Sequence, residues 1–111
     1  MLVIYITQLP SRRNPESGAY VPTVDVTPAK LFGDLRFIFP PGMNVQDMRA
    51  AAETMKVALR DFDPASDYLL PMGDPALMVL AAAQLGSRWV DFKILKWDRH
   101  SGAYFTHKIE T

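Results

Sequence analysis

Asp67-Tyr68-Leu69-Leu70-Pro71-Met72-Gly73-Asp74-Pro75-Ala76-Leu77-Met78-Val79-Leu80-Ala81-Ala82-Ala83-Gln84-Leu85-Gly86 is the stretch on which the fold turns. Its first five residues are a short apolar run bounded by turn formers, which suits a buried strand. Asp74 at an N-cap and Pro75 at the first helical position then start a helix. From Ala76 to Leu85 every residue but Gln84 is apolar, and Gly86 supplies the expected stop. A helix so apolar on all sides must be covered over most of its surface, by the sheet, by another helix or by a second subunit.

Upstream the same alternation is already under way. Leu35-Arg36-Phe37-Ile38-Phe39 is β-rich and is cut off by Pro40-Pro41-Gly42. Asn44, with Asp47 three positions on, offers a helix start, and Val45, Met48, Ala52, Met55 and Leu59 then draw one apolar stripe at steps of three and four. This helix is expected to end near Arg60, with Met48 and Met55 in the core. Residues 2–7, rich in Val, Ile and Tyr and closed by Pro10, form the first strand. Between them, residues 11–28 shift to polar residues and prolines, so the segment is expected to be irregular apart from a short extended piece at Tyr20 to Val26.

Downstream, Trp89 to Trp97 resumes strand character, Asp98 to Gly102 is a loop of hairpin length, and Ala103 to Ile109 returns. Two strand-helix-strand units imply parallel neighbours, and the terminal hairpin adds an antiparallel edge. The expectation is a single α/β domain over residues 1–111, in the order β-β-α-β-α-β-β, with two helices and a mixed sheet of about five strands.

Composition agrees with a globular domain: 49% of the 111 residues are apolar and 22% charged. Lys plus Arg and Asp plus Glu number 12 each, so no global field draws the chain to nucleic acid or anionic lipid, and any electrostatic partner must find a local patch. The absence of cysteine excludes disulfides and thiolate metal sites and fits a reducing compartment. The apolar start lacks the basic flank of a signal peptide and falls short of the ~20 residues needed to span a bilayer, so no membrane role and a cytoplasmic location are expected.

Two places invite chemistry. Gly73 and Asp74 lie between the carboxyl end of a parallel strand and a helix N-terminus, where α/β sheets bind ligands and where a nucleotide phosphate or small anion finds free N–H groups. Neither G-x-G-x-x-G nor a P-loop accompanies them, and the Asp74 charge opposes an anion. The second place is the hairpin, where Lys93, Lys96 and Arg99 are interleaved with Trp97 and Tyr104 in the manner of a single-strand nucleic-acid surface. Alternation sets Trp89, Asp91, Lys93, Leu95 and Trp97 on one face and Lys96 with Phe92 and Ile94 on the other. His100 and His107 lack metal-ligand spacing, and Asp61, Asp63 and Asp67 read as turn chemistry. No catalytic pair, metal or cofactor is nominated. Met43, Met48, Met55, Met72 and Met78 are candidates for an adaptable surface.

Residues 67–75, followed by Leu95-Lys96-Trp97-Asp98-Arg99 and Tyr104, resemble small uncharacterised accessory proteins of tailed bacteriophages. The resemblance implies a viral origin and action in the host cytoplasm. The grouping of Trp97, Lys96 and Arg99, together with the lack of a catalytic constellation, leads to the expectation of a non-enzymatic accessory factor that binds host or viral machinery, protein or single-stranded nucleic acid, through the aromatic-basic hairpin. The alternative is a nucleotide or small-anion domain, with or without enzymatic activity, centred on Gly73 and Asp74. A homo-oligomer is compatible with either.

Overall fold

The computed structural model describes residues 2–43 and 45–111. Its elements are β1 (Val3–Gln8), β2 (Ser11–Arg13), β3 (Tyr20–Pro22), a 3-10 helix (Thr27–Leu31), β4 (Asp34–Phe39), α1 (Met48–Ala58), β5 (Tyr68–Leu70), α2 (Pro75–Arg88), β6 (Asp91–Asp98) and β7 (Ala103–Glu110). Five strands form a mixed sheet in the order β4-β1-β5-β6-β7, parallel except for the terminal β6–β7 pair. The α/β class, the two helices and the closing hairpin therefore stand as expected.

Every residue of β1 is buried, and the strand lies between two parallel neighbours. A run apolar on both parities fits only where both faces are covered. On one face Val3, Tyr5, Leu69 and Phe92 pack against Ala51, Met55 and Leu59 and against Leu77, Ala81 and Leu85 of α2. On the other, Ile4, Ile6, Leu70, Leu95 and Tyr104 meet Val26 and Ala29. One cover is helical; the other is the proline-rich segment itself.

Several expectations are corrected. The strands flanking α1 are not neighbours, because β1 intervenes and α1 crosses over it. Segment 11–28 is not irregular: β2 and β3 pair antiparallel, with Arg12 opposite Val21, and Thr27 begins the 3-10 helix. The expected cap Asn44 lies outside the described residues. Helix α1 is capped instead by Asp47, whose carboxylate accepts from the Arg49 and Ala50 amides. Starting later, α1 buries Ala51 and Met55, with Leu59 buried at its C-cap, while Met48 stays 39% exposed and leaves the core. Gly86 does not stop α2, which runs on to Arg88. The Arg88 guanidinium donates to the Leu59 and Arg60 carbonyls and ties that last turn to the end of α1. Finally, α2 is covered on one side only; Val79 is 69% exposed. Among the described residues no helix is long and apolar enough to cross a membrane.

Candidate functional site

The hairpin register decides what the aromatic residues can do. Asp98 pairs with Ala103, so Trp97 lies directly opposite Tyr104 and Lys96 opposite Phe105. The turn is held by Asp98, whose carboxylate accepts from the Ser101 hydroxyl at 2.8 Å. Hydrogen bonds from Ser101 also hold the Asp98 carboxyl below the usual range. The Trp97 and Tyr104 rings meet edge to face, their centroids 4.9 Å apart.

Both rings point toward the proline-rich segment. Asp25 accepts the Thr27 amide at 2.9 Å, and that turn carries Val24 and Pro28 up against the hairpin. The result is a cleft of about 280 Å³ lined by Val24, Asp25, Pro28, Met72, Trp97 and Tyr104. Tyr104 is buried and Trp97 is 42% exposed. Burial, reinforced by the Asp25 charge, pushes the Tyr104 phenol above the ordinary tyrosine range, so it stays neutral. Hydrogen bonding from Thr27 holds the Asp25 carboxyl low, so it stays charged. The cleft is thus an apolar slot with one carboxylate at its lip, suited to an aliphatic or aromatic side chain that has a cation beside it.

The remaining hairpin residues do not join this cleft. Lys93 shares the Trp97 face but lies about 13 Å along the strand. Its ammonium donates to the Ala65 carbonyl at 3.0 Å and sits 4.6 Å from the Tyr68 ring centroid. Lys96 projects from the opposite, helix-bearing face beside Phe105, and Arg99 is exposed in the turn. The structure brings together Trp97 and Tyr104 of the five hairpin residues singled out in sequence. Val24, Asp25 and Pro28 were missed, because pairing across a long connection leaves no local pattern; Met72 carried a signal as part of the methionine set.

Gly73 and Asp74 occupy the point where the chain diverges, leaving β1 toward β4 and β5 toward β6. That crevice is filled from within. The Gln8 carboxamide donates to the Pro40 and Met43 carbonyls at 3.1 and 3.0 Å and accepts the Asp74 amide at 2.9 Å. The Thr7 hydroxyl accepts the Met72 amide at 2.9 Å and donates to the Met72 carbonyl. Asp74 caps α2 by accepting from Ala76. Replacing Gln8 by Ala removes the acceptor for Asp74 and the tie to the turn after β4. The expected loss, read from urea denaturation, is about 2 kcal/mol.

The family model described as Phage Pam3 gp32-like protein matches residues 2–111, well beyond the stretch from Asp67 that carries the pattern resemblance. No curated protein and no solved structure matches the chain.

Proposed function

The chain belongs to the Phage Pam3 gp32-like protein family, and from that premise we propose that it is a non-enzymatic phage accessory protein that binds another protein, of host or viral origin, at the Trp97 cleft. The observation that carries this reading is the half-exposed Trp97 standing over an apolar slot whose floor includes buried Tyr104. Large rings at the rim of a desolvated pocket are the usual anchors of protein interfaces. Single-stranded nucleic acid is less well served, because stacking surfaces need cations beside the rings. Here Lys96 lies on the other face and Lys93 is engaged by Ala65. The nucleotide reading at Gly73 and Asp74 has less support still, since Gln8 fills the crevice where a phosphate would sit.

The test is recovery of partners from infected cells with a tagged chain. One protein is expected to co-purify with the wild type and to bind Trp97→Ala roughly thirtyfold more weakly, the equivalent of about 2 kcal/mol. Lys96→Ala is expected to retain it. Titration with a single-stranded oligonucleotide at low salt should leave the tryptophan fluorescence unchanged. Quenching that fades with added salt and depends on Lys96 or Arg99 would transfer the function to nucleic acid.

A further inference from the structure

Strand β4 is an edge strand with β1 as its one neighbour. The Asp34 amide donates to the Leu2 carbonyl at 3.0 Å, so Asp34 and Arg36 turn their backbone groups inward. By alternation, the amides and carbonyls of Leu35 and Phe37 point outward, unpaired by the sheet. Edges of this kind are normally blunted by lysine, proline or a cover. Strand β7, the opposite edge, carries Lys108 in an ion pair with Asp91. Residues 34–39 contain neither lysine nor proline. The flank is apolar as well: Phe37 is 49% and Leu31 89% exposed. Beside them opens a cleft of about 640 Å³ in which Val26, Leu35 and Phe37 are joined by Lys30, Gly33 and Asp34.

We propose that β4 pairs antiparallel with β4 of a second copy of this chain, about a two-fold axis at Leu35, to make one continuous sheet across a dimer. The charges select this register. Outward-facing residues must meet outward-facing residues, which leaves registers two residues apart. Centring on Arg36 sets two arginines face to face, centring on Asp34 two aspartates, and centring on Phe37 leaves both charges without a partner, with Arg36 opposite Ile38 and Asp34 opposite Pro40. Centring on Leu35 sets Asp34 opposite the partner's Arg36, twice by symmetry, and isologous contacts of this kind close as a dimer. Both charges are exposed, and among the described residues neither has an ion-pair partner of its own; the Arg36 guanidinium rests over the Tyr5 ring, 5.7 Å from its centroid, and donates to the Tyr5 hydroxyl at 3.4 Å, so it must swing outward to meet the partner's Asp34. In the same register Phe37 reaches the partner's Gly33, which precedes β4 and whose amide already donates to the Lys30 carbonyl at 3.4 Å, so the ladder ends there and the ring meets no side chain at the mouth of the partner's cleft. The Trp97 clefts, at the other end of the sheet, stay open in such a dimer.

Sedimentation velocity across a range of concentrations tests this on the full chain. The wild type is expected at twice the chain mass. Asp34→Arg and Arg36→Asp, each alone, replace two attractions by two repulsions and should dissociate about thirtyfold more readily. Mixing these two variants restores opposite charges at both positions and should restore the dimer, as should the double swap Asp34→Arg with Arg36→Asp. A wild type that remains monomeric at every concentration overturns the proposal. Single variants that dimerise as the wild type does, or a mixture that fails to associate, would overturn it equally.

Discussion

Gly73→Ala is expected to lower the unfolding free energy by about 4 kcal/mol, measured as a shift of the urea midpoint at constant slope. Two causes add. Gly73 has φ +85°, a left-handed conformation that costs a residue with a Cβ about 1–2 kcal/mol. The added Cβ would also stand 2.6 Å from both the Cβ and the backbone oxygen of Gln8. Gln8 cannot step aside, because it closes β1 and its carboxamide is held by Pro40, Met43 and Asp74. Overpacking of such a site adds about 1–3 kcal/mol. Asparagine separates the two causes, since it tolerates positive φ but brings the same Cβ. Gly73→Asn should therefore lose only the overpacking part, about 2–3 kcal/mol. A near-normal Gly73→Asn protein would mean that the close approach to Gln8 is unimportant. Gly102→Ala is the control, with φ +64° and nothing within 4 Å of the new carbon. It should lose only about 1 kcal/mol.

Removing the Asp67 carboxylate has a comparable expected effect. Asp67 is 3% exposed and accepts from the Val3 amide at 3.0 Å, the Asp63 amide at 2.8 Å and the Ser66 hydroxyl at 3.3 Å. One side chain thus fastens the start of β1 to the turn that launches β5, across 64 residues of sequence. Bonds to a charged acceptor contribute about 1.5–3 kcal/mol each, and a buried N–H left without a partner carries its full desolvation penalty. Asp67→Ala should cost about 4 kcal/mol in urea denaturation. Asp67→Asn retains one acceptor oxygen but turns an amide donor toward another donor, and should fall about halfway. An alanine variant within 1 kcal/mol of the wild type would show that water replaces the carboxylate freely.

What could be read from sequence was governed by distance along the chain. The 67–86 stretch announced its strand and helix through Asp74 and Pro75, and both elements formed, because capping and proline act over a single turn. Gly86 misled for the same reason. It is a local stop signal, overridden when Arg88 reached across to the carbonyls of Leu59 and Arg60. The place of β1 between β4 and β5 had no local signature beyond its unbroken burial pattern. Asp67 read as turn chemistry beside Asp63, which does accept the Ala65 amide. Nothing nearby revealed that its own partner would be Val3. The candidate site divides in the same way. Trp97 and Tyr104 met because a short loop sets their register, and Lys96 was correctly assigned to the opposite face by parity. Asp25 and Pro28, more than 60 residues upstream of Trp97, required the fold.

The central position of β1 also has a consequence for biosynthesis. This strand leaves the ribosome before either of its neighbours, yet it cannot be paired on both sides until Leu70 has emerged. Through that interval Val3 to Ile6 form an apolar, β-prone run with at least one edge unpaired, the kind of segment that aggregates when left waiting. Yield in the cell should therefore depend on how quickly translation delivers β5, and slow codons between β4 and β5 would prolong the exposure of the nascent chain.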